Sequence, residues 1–429
     1  MNTDISDYGA TCDGAICTSA IQAAIDACAA SGGGRVTVPA GTYISGTLWL
    51  RSNVELHLEH GAILKASENM DDYNELDAYE QNFSCTEEKW VGKHLIIALE
   101  CENVALTGSG VIDGSADAFF GEFAPNSKSV YVWRDGYRDP KDLEKLRPGQ
   151  LVCFVECRRV LVENVTLRNH PCWGCFLYGC DYVTVRGMQT RNDKTYFNSD
   201  GIDIDSCSYV TVSDCNIETG DDAIAIRGAG SYLKNKSHPC EFVTITNCIL
   251  SSQSHTIRIG VGDGLIRHIR LSNIMIRSGA PAIGIMSSYH GKGCVSIEDV
   301  SFTNITAVGT ARVLTLLESA NASIKNILLE NILAETTGNF NLCSDFPESI
   351  QGITMRNFDV TLKDCPELVT EKDHRLHGSA WFCAKNINGL KIENFVLHDP
   401  QNQLKKWKDG GFSFEDCFDR KLIDVLVTK

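Results

Sequence analysis

Short runs of alternating apolar and polar residues recur along most of this chain. Most of the runs begin at a polar, charged or aromatic residue, and they often end near an asparagine. Apolar side chains at every second position predict a strand with one buried face. Such runs begin at Asn53, Asn103, Arg159, Tyr182, Tyr209, Phe242, His268, Val295, Ile324, Ile350 and Ile387. Because no helical pattern separates them, the sequence predicts a repetitive all-β protein.

The spacing of the runs indicates the architecture. From Arg159 onward, successive runs lie roughly 23 to 38 residues apart, which is the range of repeat proteins. Short strands with asparagine and glycine at the corners favour a single-stranded right-handed parallel β-helix. A β-propeller is the alternative, but its blades would be longer and would carry more aromatic signatures.

One helical pattern precedes the strands. Ile21, Ile25 and Cys28 fall on one helical face, and Thr18 or Ser19 is the candidate N-cap. A run of three glycines then ends the pattern. Since the end coils of a solenoid expose core, we expect this helix to serve as a cap.

The chain shows no linker or change of composition that would mark a second domain. We therefore predict a single β-helix domain over residues 1–429. Residues 1–45 would form the N-terminal capping segment with its helix, and residues 46–429 would form the coils. The polar and aromatic segment from Phe120 to Arg147 is interpreted as a long loop beside a binding cleft.

Charge and cysteine content narrow the function. The formal net charge of −16 disfavours nucleic acid as a partner, and a polyanionic ligand would need a local basic patch. The 19 cysteines, the missing signal-peptide pattern and the absence of a long apolar run predict a cytoplasmic protein with reduced thiols and no membrane span. We expect no cofactor and no metal ion.

The stretch from Asn198 to Arg227 carries the candidate chemistry. Asn198-Ser199-Asp200 and the pair Asp221-Asp222 each precede two alternating isoleucines. If those isoleucines stack in one core, Asp200 and Asp222 lie at equivalent places on neighbouring strands. Crowded carboxylates shift one another's pKa, and a glycosidase needs one protonated and one ionised group. A solvated acidic edge or a cation site is the alternative.

These motifs resemble those of glycoside hydrolase family 28, the polygalacturonases and their relatives, which fold as pectin-lyase-like β-helices. The N-terminal DYGA and GGGRVTVPAGTY segments and the stretch from Arg147 to Cys175 are similar to the family as well. Asn198-Ser199-Asp200 resembles the family's Asn-Thr-Asp motif, and Gly220-Asp221-Asp222 matches Gly-Asp-Asp. His255 stands where the family has Gly-His-Gly, here between Ser254 and Thr256.

The resemblance implies hydrolysis with inversion at the anomeric carbon. It implies Asp221 as the general acid, with Asp200 and Asp222 holding and deprotonating the attacking water. His255 would support the acid. An inverting enzyme holds its two carboxyl groups about 6.5–9.5 Å apart so that the water fits between them. The ligand would be an oligosaccharide, contacted also by Asn198.

One departure from the family concerns carboxylate recognition. The family's Arg-Ile-Lys motif should fall within residues 282–287, where this chain has Gly284 and Met286 in place of the two cations. Stacking the isoleucine pairs places Arg258 one coil before the vacant arginine position and Arg227 two coils before the vacant lysine position. Both arginines are candidate substrate-binding residues, or else partners of Asp203 and Asp205 in surface ion pairs.

Aromatic and cysteine residues supply weaker candidates. Trp173 is either an outward stacking platform for a sugar ring or a core residue. Cys172 and Cys175 have CxxC spacing but lack the βαβ context of a redox motif. Tyr289 and His290 are candidates for the far side of the cleft.

Three functions remain open on the sequence. The first is an inverting hydrolase of α-linked pectic or related oligosaccharides, exo-acting on short imported substrates. The second is a polysaccharide lyase on the same scaffold, which would need a basic residue and often calcium held by oxygen ligands. The third is a carbohydrate-binding β-helix without activity.

Overall fold

Parallel strands make up most of the protein. The computed structural model describes residues 1–125, 136–140, 146–288, 293–318, 322–364 and 380–428. By its contacts the described chain divides into two compact units. The first contains residues 1–125, 136–140, 146–224 and 230–238, and the second contains residues 225–229 together with the described residues from 239 onward. The prediction of one domain stays a prediction.

The first unit contains one α-helix and twenty-two strands within its described residues. The helix α1 spans Thr18–Ala30. The strands are β1 Asn2–Asp4, β2 Gly34–Val38, β3 Gly41–Ser45, β4 Leu48–Trp49, β5 Val54–Leu58, β6 Ala62–Ala66, β7 Trp90–Val91, β8 Ile96–Leu99, β9 Glu102–Gly108, β10 Val111–Asp113, β11 Phe120–Pro125, β12 Gly136–Pro140, β13 Arg147–Pro148, β14 Val152–Val155, β15 Arg158–Glu163, β16 Thr166–Arg168, β17 Cys175–Tyr178, β18 Asp181–Arg186, β19 Gln189–Arg191, β20 Ile202–Asp205, β21 Ser208–Ser213 and β22 Asn216–Glu218. Short 3₁₀ turns occupy Ile5–Tyr8, Met70–Asp72, Ala116–Ala118 and Gly230–Tyr232.

Strand β23 spans Ile224–Gly228, and the other strands of the second unit follow it. They are β24 Cys240–Thr246, β25 Ile249–Ser251, β26 Ile257–Gly262, β27 Leu265–Ser278, β28 Ile283–Met286, β29 Ser296–Thr310, β30 Leu314–Glu318, β31 Ile324–Thr336, β32 Phe340–Ser344, β33 Ile350–Leu362, β34 Phe382–Lys385, β35 Ile387–His398, β36 Phe412–Glu415 and β37 Lys421–Thr428. A 3₁₀ turn covers Gln403–Lys406.

The strands of each unit stack coil upon coil. In the first unit, successive coils add one strand to each of three parallel ladders. The ladders run β1-β2-β5-β9-β15-β18-β21, then β3-β6-β10-β16-β19-β22, and β4-β8-β14-β17-β20. The second unit contains one ladder of long strands, β27-β29-β31-β33-β35-β37. The predicted all-β parallel β-helix is confirmed.

The alternating residues form the core as the pattern predicts. Ile257 and Ile259 pair in register with Ile283 and Ile285, and all four side chains are buried. Burying an aliphatic side chain of this size stabilises the fold by about 1.5–3 kcal/mol. The same register sends the residues between them, such as Arg258 and Gly284, to the outer face of the coil.

Asparagine side chains form a ladder along the bends of the long strands. Asn304 Nδ2 donates to Asn273 Oδ1 at 3.1 Å, and Asn331 and Asn357 continue the ladder at 3.0 and 2.8 Å. Asn394 extends it by a bond of 3.0 Å to Asn357. These residues all have positive φ, a conformation that asparagine tolerates better than most residues. Each bend is therefore tied to the next.

A column of cysteines plays a similar part in the first unit. The backbone N–H groups of Cys101, Cys157 and Cys180 each donate to the sulfur of the next cysteine in the order Cys101, Cys157, Cys180, Cys207, at 3.4, 3.4 and 3.2 Å. All four thiols are buried, and burial raises the pKa of Cys180 well above its ordinary value. The column is therefore core packing.

The N-terminal helix α1 agrees with the prediction in its buried face but not in its N-cap residue. The predicted buried face of α1 is confirmed, since Ile21, Ile25 and Cys28 have no exposed surface. Neither Thr18 nor Ser19 is the N-cap, because Cys17 occupies that place without a side-chain bond. The Thr18 hydroxyl instead accepts a hydrogen bond from the Gly46 N–H at 2.7 Å, which ties the helix to the coil.

Two further differences concern the ends of the predicted segments. Strands β1, β2 and β3 lie inside residues 1–45, so the coils begin within the predicted capping segment. The described part of the predicted loop from Phe120 to Arg147 contains the antiparallel pair β11 and β12. In the part of the chain that the structure describes, no helix is long and apolar enough to cross a membrane.

Candidate active site

The backbone register brings two of the predicted carboxylates onto neighbouring coils. Gly201 N–H donates to Asp222 O at 2.9 Å, and Ile202 N–H donates to Ala223 O at 3.1 Å. In a parallel ladder with these bonds, Asp200 lies opposite Asp222. Neighbouring coils stand about 4.8 Å apart, so the two side chains leave the backbone at adjacent levels. The predicted equivalence of the two aspartates is confirmed.

The Asp221 carboxylate is held in place by backbone donors. Its Oδ2 accepts the N–H of Asn198 at 3.0 Å, and its Oδ1 accepts the N–H of Asp222 at 3.1 Å. Thr219 Oγ1 donates to Asp221 O at 2.7 Å. Asp200, Asp221 and Asp222 are 3%, 4% and 0% exposed, so they are not a solvated acidic edge.

Ser199 and Gly220 explain why the two motifs fit together. The Ser199 hydroxyl donates to Tyr196 O at 2.7 Å and accepts the N–H of Gly220 at 3.0 Å. A Cβ at position 220 would lie 2.2 Å from Tyr196 O and 2.7 Å from the Ser199 hydroxyl. The close approach therefore requires glycine directly before the aspartate pair.

Arg147 supports Asn198 and was not among the predicted site residues. Its Nη2 donates to Asn198 Oδ1 at 2.9 Å and to Glu88 O at 3.0 Å. The guanidinium also lies over the ring of Phe197, 4.7 Å from its centroid. The guanidinium of Arg147, which is 1% exposed, thus fixes the side-chain amide of Asn198 beside Asp221. The only sequence signal was its place at the start of the segment that resembles the family.

His170 is a second buried group that the sequence interpretation left unassigned. Its Nδ1 donates to Cys172 O at 2.6 Å, and burial lowers its pKa from 6.5 to about 4. A Cβ on Gly174 would lie 3.3 Å from His170 Nε2 and 3.4 Å from Asp200 O. A neutral imidazole therefore packs beside the backbone that carries Asp200.

Trp173 is not an exposed stacking platform, so that interpretation was wrong and the core alternative is correct. The side chain is 3% exposed and packs edge-on against Trp90 and Phe176, with ring centroids 5.6 and 5.2 Å away. Aromatic residues from the segment that includes Phe83 cover this part of the coil. Neighbouring Cys172 is also buried, and burial raises the pKa of its thiol to about 12.

The second unit carries the remaining predicted residues. Arg258 lies in register with Gly284 and is 7% exposed, and Arg227 is half-buried on β23. His255 lies beside Gly284, where a Cβ would be 2.3 Å from its Cδ2. The substrate-binding role of the arginines stays a prediction. Tyr289 and His290 lie outside the described residues.

The chemistry available in these groups is acid–base chemistry. Three buried carboxylates in the first unit can hold or release protons, and histidine and arginine in the second can donate hydrogen bonds. Within the described ranges, no three histidine, cysteine, aspartate or glutamate side chains are arranged to hold a metal ion. Fold and carboxylates together define a parallel β-helix protein with a buried acidic cluster.

Comparison with known proteins gives the family. Residues 28–352 match the sequence model of glycosyl hydrolases family 28, and the chain belongs to that family. An exo-poly-α-D-galacturonosidase of Dickeya chrysanthemi is 28% identical over 322 residues, which cover 66% of this chain and 52% of that protein. The chain thus spans about half the length of that relative.

In two further comparisons, the match covers a larger share of the other protein. An endo-polygalacturonase of Pectobacterium carotovorum subsp. carotovorum is 26% identical over 378 residues, covering 80% of this chain and 88% of that protein. The solved structure of a family 28 exopolygalacturonase from Yersinia enterocolitica superposes with a TM-score of 0.67 at 20% identity. That match covers 99% of this chain and 78% of the other. The structural likeness supports the β-helix fold.

Proposed function

We propose that this protein is an inverting glycoside hydrolase that cleaves α-linked pectic or related oligosaccharides from one end. The observation that carries the proposal is the register of Asp200 with Asp222 on neighbouring coils, with Asp221 fixed by two backbone donors. Membership of family 28 supports the reaction class, and the galacturonosidase and polygalacturonase relatives support the substrate class.

The residues divide the reaction between a proton donor and a base. Asp221 donates its proton to the glycosidic oxygen, and the C–O bond to the leaving sugar breaks. Asp200 and Asp222 take a proton from a water molecule, whose oxygen attacks the anomeric carbon from the opposite face. The configuration inverts, and the enzyme regains its starting protonation by exchanging one proton with solvent.

We also propose that the protein acts in a reducing compartment, the cytoplasm. The support is its cysteine chemistry: the described cysteines are free, and most are buried. A substrate in that compartment is a short imported oligosaccharide, which favours exo action over random cleavage of a polymer.

The experiment is a digestion of di-, tri- and tetragalacturonate and neutral α-linked oligosaccharides, followed by mass spectrometry. Proton NMR of the first product gives the anomer, and hydrolysis in ¹⁸O-water adds one heavy oxygen to the new reducing end. Ultraviolet absorbance from a new C4–C5 double bond would identify a lyase instead. Tight binding without turnover would identify a carbohydrate-binding protein.

A further inference from the structure

One peptide group joins the two acidic motifs of the first unit. Its N–H, which belongs to Asn198, donates to Asp221 Oδ2 at 3.0 Å, while the N–H of Asp222 donates to Asp221 Oδ1 at 3.1 Å. Because hydrogen bonds to a carboxyl oxygen are directional, donors on both oxygens fix the plane of the carboxyl group. The orientation of the peptide between Phe197 and Asn198 therefore sets the orientation of Asp221.

The backbone of Asn198 has an unusual conformation. Its φ of 50° lies in the left-handed region, which asparagine tolerates better than most residues but does not prefer. The residue is half-buried, whereas the following Ser199 is fully buried and donates its hydroxyl to Tyr196 O at 2.7 Å. Contacts on the side chains beside the peptide can therefore decide how firmly its N–H is held in one direction.

Arg147 contacts the residues on both sides of this peptide. Its Nη2 donates to Asn198 Oδ1 at 2.9 Å, and its guanidinium carbon lies 4.7 Å from the centroid of the Phe197 ring. The ring of Phe120 also lies near the guanidinium, with its centroid 5.4 Å away, and it packs edge-on against Phe197. A guanidinium is attracted to aromatic faces, so Arg147 holds the peptide from two sides.

The arginine is anchored to a segment distant in sequence from the acidic motifs. Arg147 begins β13, which pairs in parallel with β7, and its Nη2 also donates to Glu88 O at 3.0 Å. Its backbone N–H donates to Lys89 O at 3.3 Å. The side chain is 1% exposed, so these contacts leave it little freedom to move. A fixed point outside the coils thus sets the direction of the peptide N–H.

We propose that Arg147 is a positioning residue for the proton donor: it holds the peptide between Phe197 and Asn198, and that peptide aims the carboxyl group of Asp221. This inference rests on the proposed function, in which Asp221 protonates the oxygen of the leaving sugar. A displacement of about 1 Å at the reacting groups lowers a rate about 100-fold, so a residue that acts through another can control kcat.

The test compares two leaving groups on the sugar that the wild type releases. An oligosaccharide leaves as an alcohol and needs a proton, whereas a dinitrophenyl α-glycoside leaves as a stable phenolate and needs almost none. Arg147→Met keeps the length of the stem without the guanidinium. It should lower kcat for the oligosaccharide about 10- to 100-fold, with KM changed less than about threefold, and kcat for the dinitrophenyl glycoside less than about threefold.

Two kinds of reference variant accompany this comparison. Asp221→Asn should show the same selective loss as Arg147→Met, and Asp200→Asn should slow both substrates. Arg158→Met is the matched control, because Arg158 lies over the Tyr182 ring at the same distance of 4.7 Å but has a side chain that is 51% exposed. It should leave both rates unchanged. Equal losses on the two substrates in a folded Arg147→Met protein, or no loss on either, would overturn the inference.

A double variant gives an independent answer on the oligosaccharide alone. In an Asp221→Asn background, Arg147→Met should lower the remaining rate less than about threefold, because the group that it positions no longer donates a proton. Fully additive losses would count against the positioning role. If circular dichroism shows that Arg147→Met does not fold, the same comparisons pass to Arg147→Lys, which should lose about 3- to 10-fold on the oligosaccharide only.

Hydrogen exchange separates failure of this inference from failure of the proposed function. If the wild type cleaves no glycoside, the proposed function fails, but the amide of Asn198 still reports on the contact. Exchange measured by mass spectrometry should show lost protection over residues 196–200 in Arg147→Met and unchanged protection over residues 54–58. Unchanged protection over residues 196–200 would show that Arg147 does not hold the peptide.

Discussion

The imidazole of His255 lies in the space that a side chain at position 284 would occupy. A Cβ on Gly284 would stand 2.3 Å from His255 Cδ2 and 3.1 Å from its Nε2. An arginine at position 284, as in the family motif, and the observed position of the His255 ring exclude each other. The glycine at this position and the placement of His255 are therefore linked.

The first prediction follows from that exclusion. Gly284→Ala should displace the His255 ring by about 1 Å or more and reduce kcat about 100-fold. In a His255→Ala background the same substitution should have little further effect, since the ring is gone. Gly411→Ala is the control, because nothing lies within 4 Å of an added Cβ there. Additive losses in the double variant would contradict the proposed coupling.

Removing each carboxylate should stop most turnover. Asp200→Asn, Asp221→Asn and Asp222→Asn keep the side-chain shape but remove the acid–base function, so each should lower kcat about 10²- to 10⁴-fold. Steady-state rates on a confirmed substrate give the answer, with circular dichroism and thermal unfolding to verify the fold. Asp359→Asn, at an exposed position, should be neutral. Retention of a third of the activity by all three variants would refute the assignment.

Acid should destabilise the first unit through His170. Its pKa is about 4 when folded and 6.5 otherwise, because burial disfavours the charged ring. Between those values the unfolded chain binds a proton that the folded chain does not, so stability falls as pH decreases from 6.5 towards 4. The full effect is about 3 kcal/mol.

Urea unfolding at several pH values measures this contribution. His170→Gln should flatten the dependence of unfolding free energy on pH across that window, whatever its effect on absolute stability. The exposed His60→Gln variant should leave the slope unchanged. Identical slopes for wild type and His170→Gln would show that the buried ring does not titrate in this way.

The asparagine ladder can be separated into conformational and hydrogen-bonding parts. Asn331 has a φ of 57° and bonds to Asn304 and Asn357. Asn331→Ala loses both bonds and strains the backbone, so it should cost about 2 kcal/mol. Asn331→Gly keeps the backbone freedom and should cost about half as much. Thermal unfolding of the two variants should rank glycine above alanine, and the reverse order would contradict the ladder's geometry.

The cysteines should titrate as free thiols. Protein prepared without reductant and denatured under an alkylating quench should show nearly all 19 thiols. In the native state a thiol reagent should reach the exposed Cys12 and Cys294 first, because most others are buried. Several protected cysteines after denaturation would argue against a reducing compartment.

The alternation of apolar and polar residues in the strands explains which features could be predicted from the sequence. The isoleucine pairs around Arg258 and Gly284 alternate with a period of two. Once the parallel register is set, this period determines which side of the coil each residue faces. The opposition of Asp200 and Asp222 followed from the same argument. These relations depend on local pattern alone.

The position of a side chain could not be predicted where it depends on contacts with a segment distant in sequence. The sequence left both an outward and a core position open for Trp173, and Phe83 and Trp90, from a segment far back in sequence, decide for the core. Arg147 was missed because its place beside Asn198 depends on contacts with residues that are distant in sequence.

The parallel register of β26, β28, β30 and β32 has a consequence for how specificity changes. Arg258, Gly284, Thr315 and Asn341 occupy the same place on successive coils. Moving a side chain from one rung to the next shifts it along the solenoid axis by one whole coil. Side chains in this column are therefore spaced along the solenoid axis in steps of about 4.8 Å. A library confined to this column would vary the spacing of charged side chains along one line of the solenoid.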